Sequence, residues 1–83
     1  MKLVFTRSAF RQFQKLERSV QKRIDGKLRF YISQQNPLKF AESLQDSKFG
    51  NFRFRIGDYR IIFDVEGNKI IILKVGHRKD IYK

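Results

Sequence analysis

The chain has 83 residues, no Cys, no Trp, a single His and a formal net charge of +11. That length holds one domain, residues 1–83, with one modest core; the missing Cys excludes disulfide frameworks and thiolate metal sites, and one His argues against an imidazole site. No run reaches the length of a membrane span and no signal-peptide pattern opens the sequence, so the expectation is a cytoplasmic protein with no membrane contact, no metal and no cofactor. A positive excess this large attracts polyanions, nucleic acid first and an acidic protein second.

Residues Lys2 to Phe5 read as a short strand, with Leu3 and Phe5 in one phase. Thr6 or Ser8 can cap the helix that follows by accepting from an otherwise unpaired backbone N–H. Ala9, Phe10, Phe13 and Leu16 then recur at three- and four-residue spacing, which predicts one buried helical stripe. Residues 17–19 form a tight break, and Ser19 is the next capping candidate. Val20, Ile24, Leu28, Tyr31 and Ile32 draw a longer stripe, faced by Lys22, Arg23, Lys27 and Arg29. Gly26 inside this second helix costs about 1 kcal/mol against Ala; nothing in the sequence gives a reason for it, though close helix packing would be one. Asn36-Pro37 ends the helix, because the residue before proline is pushed out of the α region. Leu38, Phe40, Ala41 and Leu44 can make a short further helix, while Asp46, Ser47 and Gly50 point to a loop.

The last third is organised by alternation. Phe52, Phe54 and Ile56 share one face of a strand and Arg53 and Arg55 the other, the two guanidiniums about 7 Å apart along it. Gly57-Asp58 is a two-residue hairpin loop of the Gly-X kind. Tyr59, Ile61, Phe63 and Val65 return in one phase with Arg60 in the other, and residues 66–68 turn the chain again. A third strand places Ile71, Leu73 and Val75 on one face and Ile70, Ile72 and Lys74 on the other. The order is strand-helix-helix-strand-strand-strand. It predicts an α+β fold, an antiparallel sheet with a helical hairpin packed on one face. Arg53, Arg55, Arg60 and Lys74 then gather on the opposite face. The position of the first strand in the sheet does not follow from the pattern.

Residues 52–63 (FRFRIGDYRIIF) followed by residues 75–82 (VGHRKDIY) resemble the RelE-type toxins of bacterial and archaeal toxin–antitoxin systems, and the element order agrees over nearly the whole chain. That resemblance implies a small basic toxin that cleaves mRNA on the ribosome and so inhibits translation, held inactive by a cognate acidic antitoxin. It places functional cations at Arg53, Arg55, Arg60 and Arg78 and an aromatic at Tyr82. Some relatives carry Lys at the positions of Arg53, Arg55 and His77.

Metal-independent RNA cleavage needs a base for the ribose 2′-OH, cations for the charge growing on phosphate, and an acid for the leaving 5′-oxygen. Arginine suits the second role through its bidentate fork and not the proton transfers, since it stays protonated. Proton transfer is therefore expected from His77, Tyr82, or the ribosome and mRNA themselves. Histidine titrates in the right range for either role; the bland alternative is a strand-end His bonded to backbone. Tyr82 can donate to phosphate, stack on a base, or cover the core edge. Lys74, Lys79 and Lys83 add positive charge for RNA. Ile62 and Ile72, out of phase with the core, are expected to be exposed, where they either only support strand propensity or form an apolar patch covered by the antitoxin. The competing functions are a non-cleaving nucleic-acid-binding module and a ParE-type gyrase-inhibiting toxin on the same fold.

Overall fold

The computed structural model describes residues 1–45 and 48–82. The loop expected at Asp46 and Ser47 and the RNA contact expected of Lys83 lie outside the described residues. The chain runs β1 (Lys2–Phe5), α1 (Arg7–Gln14), α2 (Arg18–Ser33), a 3-10 turn (Pro37–Phe40), β2 (Glu42–Ser43), β3 (Phe52–Ile56), β4 (Tyr59–Glu66) and β5 (Lys69–His77). The strands form one sheet in the order β1-β5-β4-β3-β2. This is the expected α+β arrangement, with two additions. β1 joins at the edge, parallel to β5, with Lys2 opposite Lys69 and Phe5 opposite Ile72. Residues 41–44 do not continue as a helix: Pro37 starts the 3-10 turn, and Glu42 and Ser43 then pair with Arg53 and Phe52 at the other edge. No helix among the described residues is long and apolar enough to cross a membrane.

Local chemistry explains most boundaries. Thr6 caps α1, its Oγ1 accepting from the Ala9 N–H at 3.1 Å. Ser19 does not cap α2; that helix starts after Glu17 with no side-chain cap, and Gln21 instead donates to the Leu16 carbonyl at 2.8 Å, closing the break from inside. Both hairpin loops contain two residues, and Gly57 and Gly67 sit at φ +60° and +59°, where a side chain would be strained. Gly26 meets no close packing: a Cβ there would find nothing within 4 Å.

Both helices lie on one sheet face. Ala9, Ile24, Leu28 and Tyr31 close over Phe54, Ile61, Phe63 and Ile72, all buried. The aromatic content concentrates in one stack, Phe40 on Tyr31 at 4.8 Å, Tyr31 on Phe54 at 4.7 Å and Phe54 on Phe63 at 4.5 Å. Phe10 departs from the expected stripe. It is 48% exposed and touches Phe5 only edge-on, at 6.0 Å.

A bulge corrects the reading of β5. Ile62 pairs with Lys74 and Phe63 with Ile72, so Leu73 is an extra residue and the alternation slips there. Ile70, Ile72 and Val75 therefore enter the core, while Leu73 turns to the opposite face beside Ile62. The exposed patch expected from Ile62 and Ile72 does not exist: both are fully buried, Ile72 under the helices and Ile62 beneath the segment that carries Gly50. A Cβ on Gly50 would stand 2.7 Å from Ile62 Cγ2 and 3.0 Å from Leu73 Cδ1. The freed Val75 N–H donates to Gln12 Oε1 of α1 at 2.9 Å, so one helix side chain repairs the interrupted ladder. Gln12→Ala leaves that donor unpaired, and a loss of roughly 1–2 kcal/mol is expected. Thermal unfolding should show it as a fall in Tm, and an unchanged Tm would refute the assignment.

Candidate active site

The sheet face away from the helices collects the charged residues, and strand phase dictates which. Arg53, Arg55 and Arg60 face it from β3 and β4, with Lys74 beside them on β5. Residues 78–82 fold back as a turn, the Asp80 and Ile81 N–H groups both donating to the His77 carbonyl at 2.9 and 3.0 Å. Ile81 is buried against Gly76, where a Cβ would come within 3.3 Å of its Cδ1. That contact sets the turn on the arginine face, because Gly76 stands opposite Arg60 in the ladder. The Arg78 N–H donates to the Asp58 carbonyl at 2.7 Å, which ties the turn to the β3–β4 loop.

Tyr82 thereby reaches the cluster. Its hydroxyl accepts from Arg53 Nη1 at 2.6 Å, and its ring lies 5.9 Å from that of Phe49. Lys74 Nζ sits 4.0 Å from the centre of the Phe49 ring, so this lysine helps to cover the loop that roofs Ile62. Arg60 is 7% exposed, and its Nη1 donates to the carbonyls of Gly57 and Tyr59, each at 2.9 Å. Burial pulls the Arg60 guanidinium down from the ordinary arginine range, and the charges of Arg55, Arg53 and Arg78 act in the same direction. Arg53 moves the opposite way, raised first by its hydrogen bond with Tyr82, against burial, and then by Glu42. The two shifts describe one site. Four guanidiniums repel each other around a partly dehydrated centre, which an arriving anion would relieve.

Sequence reading missed Glu42. Its carboxylate accepts from Arg53 Nε and Nη2, both at 3.4 Å, and lies 3.7 Å from Arg55 Nε. Nothing in the local pattern distinguished this glutamate, because the two-residue strand that carries it is too short to leave a periodic signal. Arg78 Nε is 3.7 Å from Asp58 Oδ1, a solvated pair worth little in stability.

His77 is not brought into the cluster. It pairs with Tyr59 and shares that residue's helix-side phase, the two rings meeting edge-on at 5.4 Å. Its Nδ1 accepts from the Lys79 N–H at 3.1 Å, which holds the start of the tail turn. The bland expectation for His77 fits this place. The Lys79 side chain is exposed beside it.

Comparison with known proteins gives a consistent picture. Residues 3–82 match the family described as the ParE toxin of the type II toxin-antitoxin system, parDE. A 49-residue stretch is 39% identical to toxin RelG of Mycobacterium tuberculosis, covering 57% of this chain and 56% of the relative, so the match spans about half the length of each. The fold superimposes on a chain of the RelBE2 toxin–antitoxin complex of M. tuberculosis (TM-score 0.76, 27% identity, 95% of this chain and 92% of that one). It also matches the RelB–RelE antitoxin–toxin complex of Methanococcus jannaschii (TM-score 0.74, 26% identity, 96% and 95% covered). The Escherichia coli RelBE complex, at 18% identity and TM-score 0.71 over 92% and 94%, shares the fold. A match over nearly every residue, with the RelE-like fold behind it, places this chain in the ParE toxin family, within the RelE/ParE superfamily of type II toxins.

Proposed function

We propose that this toxin is a metal-independent endoribonuclease that cleaves mRNA on the ribosome and thereby stops translation. One observation carries the reading: Arg53 ties Tyr82 and Glu42 together on the face that also holds Arg55 and the buried Arg60. In the proposed reaction the 2′-oxygen attacks the adjacent phosphorus and the bond to the 5′-oxygen breaks. The products are a 2′,3′-cyclic phosphate and a 5′-hydroxyl. Glu42, the carboxylate paired with Arg53 and Arg55, is the residue placed to take the 2′-OH proton. Arg55, Arg60 and Arg78 stabilise the charge on the non-bridging oxygens. Tyr82 accepts from Arg53 through its oxygen, so its own O–H is left to donate toward the leaving 5′-oxygen. The phosphate takes over the guanidinium forks that Glu42 occupies at rest, which frees the carboxylate as the substrate arrives.

By the same reading the partner is an acidic antitoxin that covers this face or distorts the tail turn. The RelB–RelE neighbours are themselves toxin–antitoxin complexes, and a net charge of +11 favours such a partner. The matched family carries the ParE name, which keeps the second reading, a ParE-type gyrase-inhibiting toxin, beside the first. An in vitro translation reaction with cut sites mapped on the mRNA separates the two. Cuts between ribosome-bound nucleotides are expected; intact message, with DNA-damage filamentation in expressing cells, would overturn the proposal.

Tyr82 offers a graded check. Tyr82→Phe loses the hydroxyl but keeps a ring against Phe49 that can stack on a base. Tyr82→Ala loses both. Single-turnover cleavage is expected to fall in each and further in Tyr82→Ala, whereas equal rates in both variants and the parent would remove Tyr82 from the reaction.

A further inference from the structure

Arg23 belongs to α2, on the far side of the sheet from the arginine face, yet its guanidinium reaches the loop that joins β3 to β4. A Cβ on Gly57 would meet Arg23 Nη2 at 2.7 Å, Cζ at 2.9 Å and Nη1 at 3.1 Å. The carbonyl of the same glycine accepts from Arg60 Nη1 at 2.9 Å. One residue at the hairpin tip therefore touches two cations, one from each side of the sheet. Gly57 lies at φ +60° and lacks the side chain that would push Arg23 away. Arg60 is engaged with two carbonyls. Arg23, by contrast, is solvent-exposed, and its guanidinium makes no hydrogen bond or ion pair among the described residues. Lys27 follows one helical turn on, also exposed.

An exposed guanidinium at the hairpin tip, with its fork directed to no protein acceptor, is a cation open to an anion from outside. We infer that Arg23 extends the site around the hairpin tip and holds a backbone phosphate of RNA flanking the step that is cut. The inference rests on the reading of the arginine face as an RNA site. It adds a path to that reading: the strand crosses Arg53, Arg55 and Arg60, rounds the Gly57-Asp58 loop, and leaves along α2. Contacts of this kind read no base. They set how much flanking RNA the toxin uses.

The test is binding of fully 2′-O-methylated single-stranded RNA, which lacks the attacking hydroxyl, in lengths of about four and about twelve nucleotides. The parent toxin, Arg23→Ala, Arg23→Lys and Arg60→Ala are compared over a salt series. Arg23→Ala is expected to shrink the affinity advantage of the long oligomer several-fold and to lower its salt slope by about 0.7 for the lost phosphate contact. Arg23→Lys should recover the slope, since it returns the charge without the fork. Arg60→Ala should weaken both lengths. If Arg60→Ala weakens both but Arg23→Ala leaves the length advantage and slope unchanged, Arg23 only packs the turn, and this inference alone fails. If Arg23→Ala weakens both lengths equally while lowering Tm, its role is structural and the inference again fails. If Arg60→Ala alters neither length, the reading of the face falls and takes the Arg23 path with it.

Discussion

Replacing Arg60 with alanine is expected to slow single-turnover cleavage of ribosome-bound mRNA by about a hundred- to a thousand-fold, the usual loss when one preorganised donor to a developing oxyanion is removed. The variant should also be less stable. Arg60 Nη1 satisfies the carbonyls of Gly57 and Tyr59, and the side chain is almost wholly enclosed. Loss of those bonds costs about 1–3 kcal/mol, visible as a Tm lower by several degrees in a chain of this size. Arg60→Lys separates the two effects. It keeps a charge in the pocket but cannot serve two carbonyls and a phosphate with one planar fork, so cleavage is expected to stay low as part of the stability returns. Parent-like cleavage by Arg60→Ala at a temperature where it is folded would rule out the proposed role.

The second large effect is expected at Glu42. Glu42→Gln preserves shape and much of the hydrogen bonding to Arg53 while removing the proton acceptor. If Glu42 takes the 2′-OH proton, cleavage falls by about a hundred- to ten-thousand-fold. The opposite outcome is equally legible. A faster Glu42→Gln variant would mean that the carboxylate only occupies Arg53 and Arg55, competing with phosphate for their forks. Because Glu42 and Arg53 are exposed enough for water to screen them, Glu42→Gln should not shift Tm by much.

What the sequence made legible follows the strength of each local signal. Strict alternation in residues 52–65 and two glycine turns predicted β3, β4 and the phase of Arg53, Arg55 and Arg60, all as found. The helices were readable because Ile24, Leu28 and Tyr31 recur at helical spacing on an otherwise charged segment. β5 was misread up to its middle, while Val75 and Lys74 beyond it fall on the faces expected; a run of four apolar residues looks the same in either phase and only the bulge at Leu73 decides between them. Ile72 was consequently expected on the surface, and Ile62, whose phase was read correctly, was expected there because nothing local announces that the Gly50 segment covers it. The same slip hid the second small apolar cluster, in which Gly50, Ile62 and Leu73 meet through contacts far apart in sequence. Glu42 escaped notice for a related reason: its role depends on an edge pairing with Arg53 that no periodicity announces. His77 shows the reverse case, a residue with suitable chemistry whose strand phase turns it toward Tyr59.

The edge pairing of β1 with β5 bears on how the molecule comes into being. Parallel partners drawn from opposite ends of the sequence cannot meet until β5 has been synthesised, and closing so long a loop is slow and is repaid only by the contacts that follow. α1 packs chiefly against β5, so it too lacks most of its support until then. Each member of the arginine cluster, from Glu42 to Tyr82, likewise comes from the later half of the chain. A polypeptide synthesised only as far as β4 therefore carries neither a closed sheet nor an assembled cationic face.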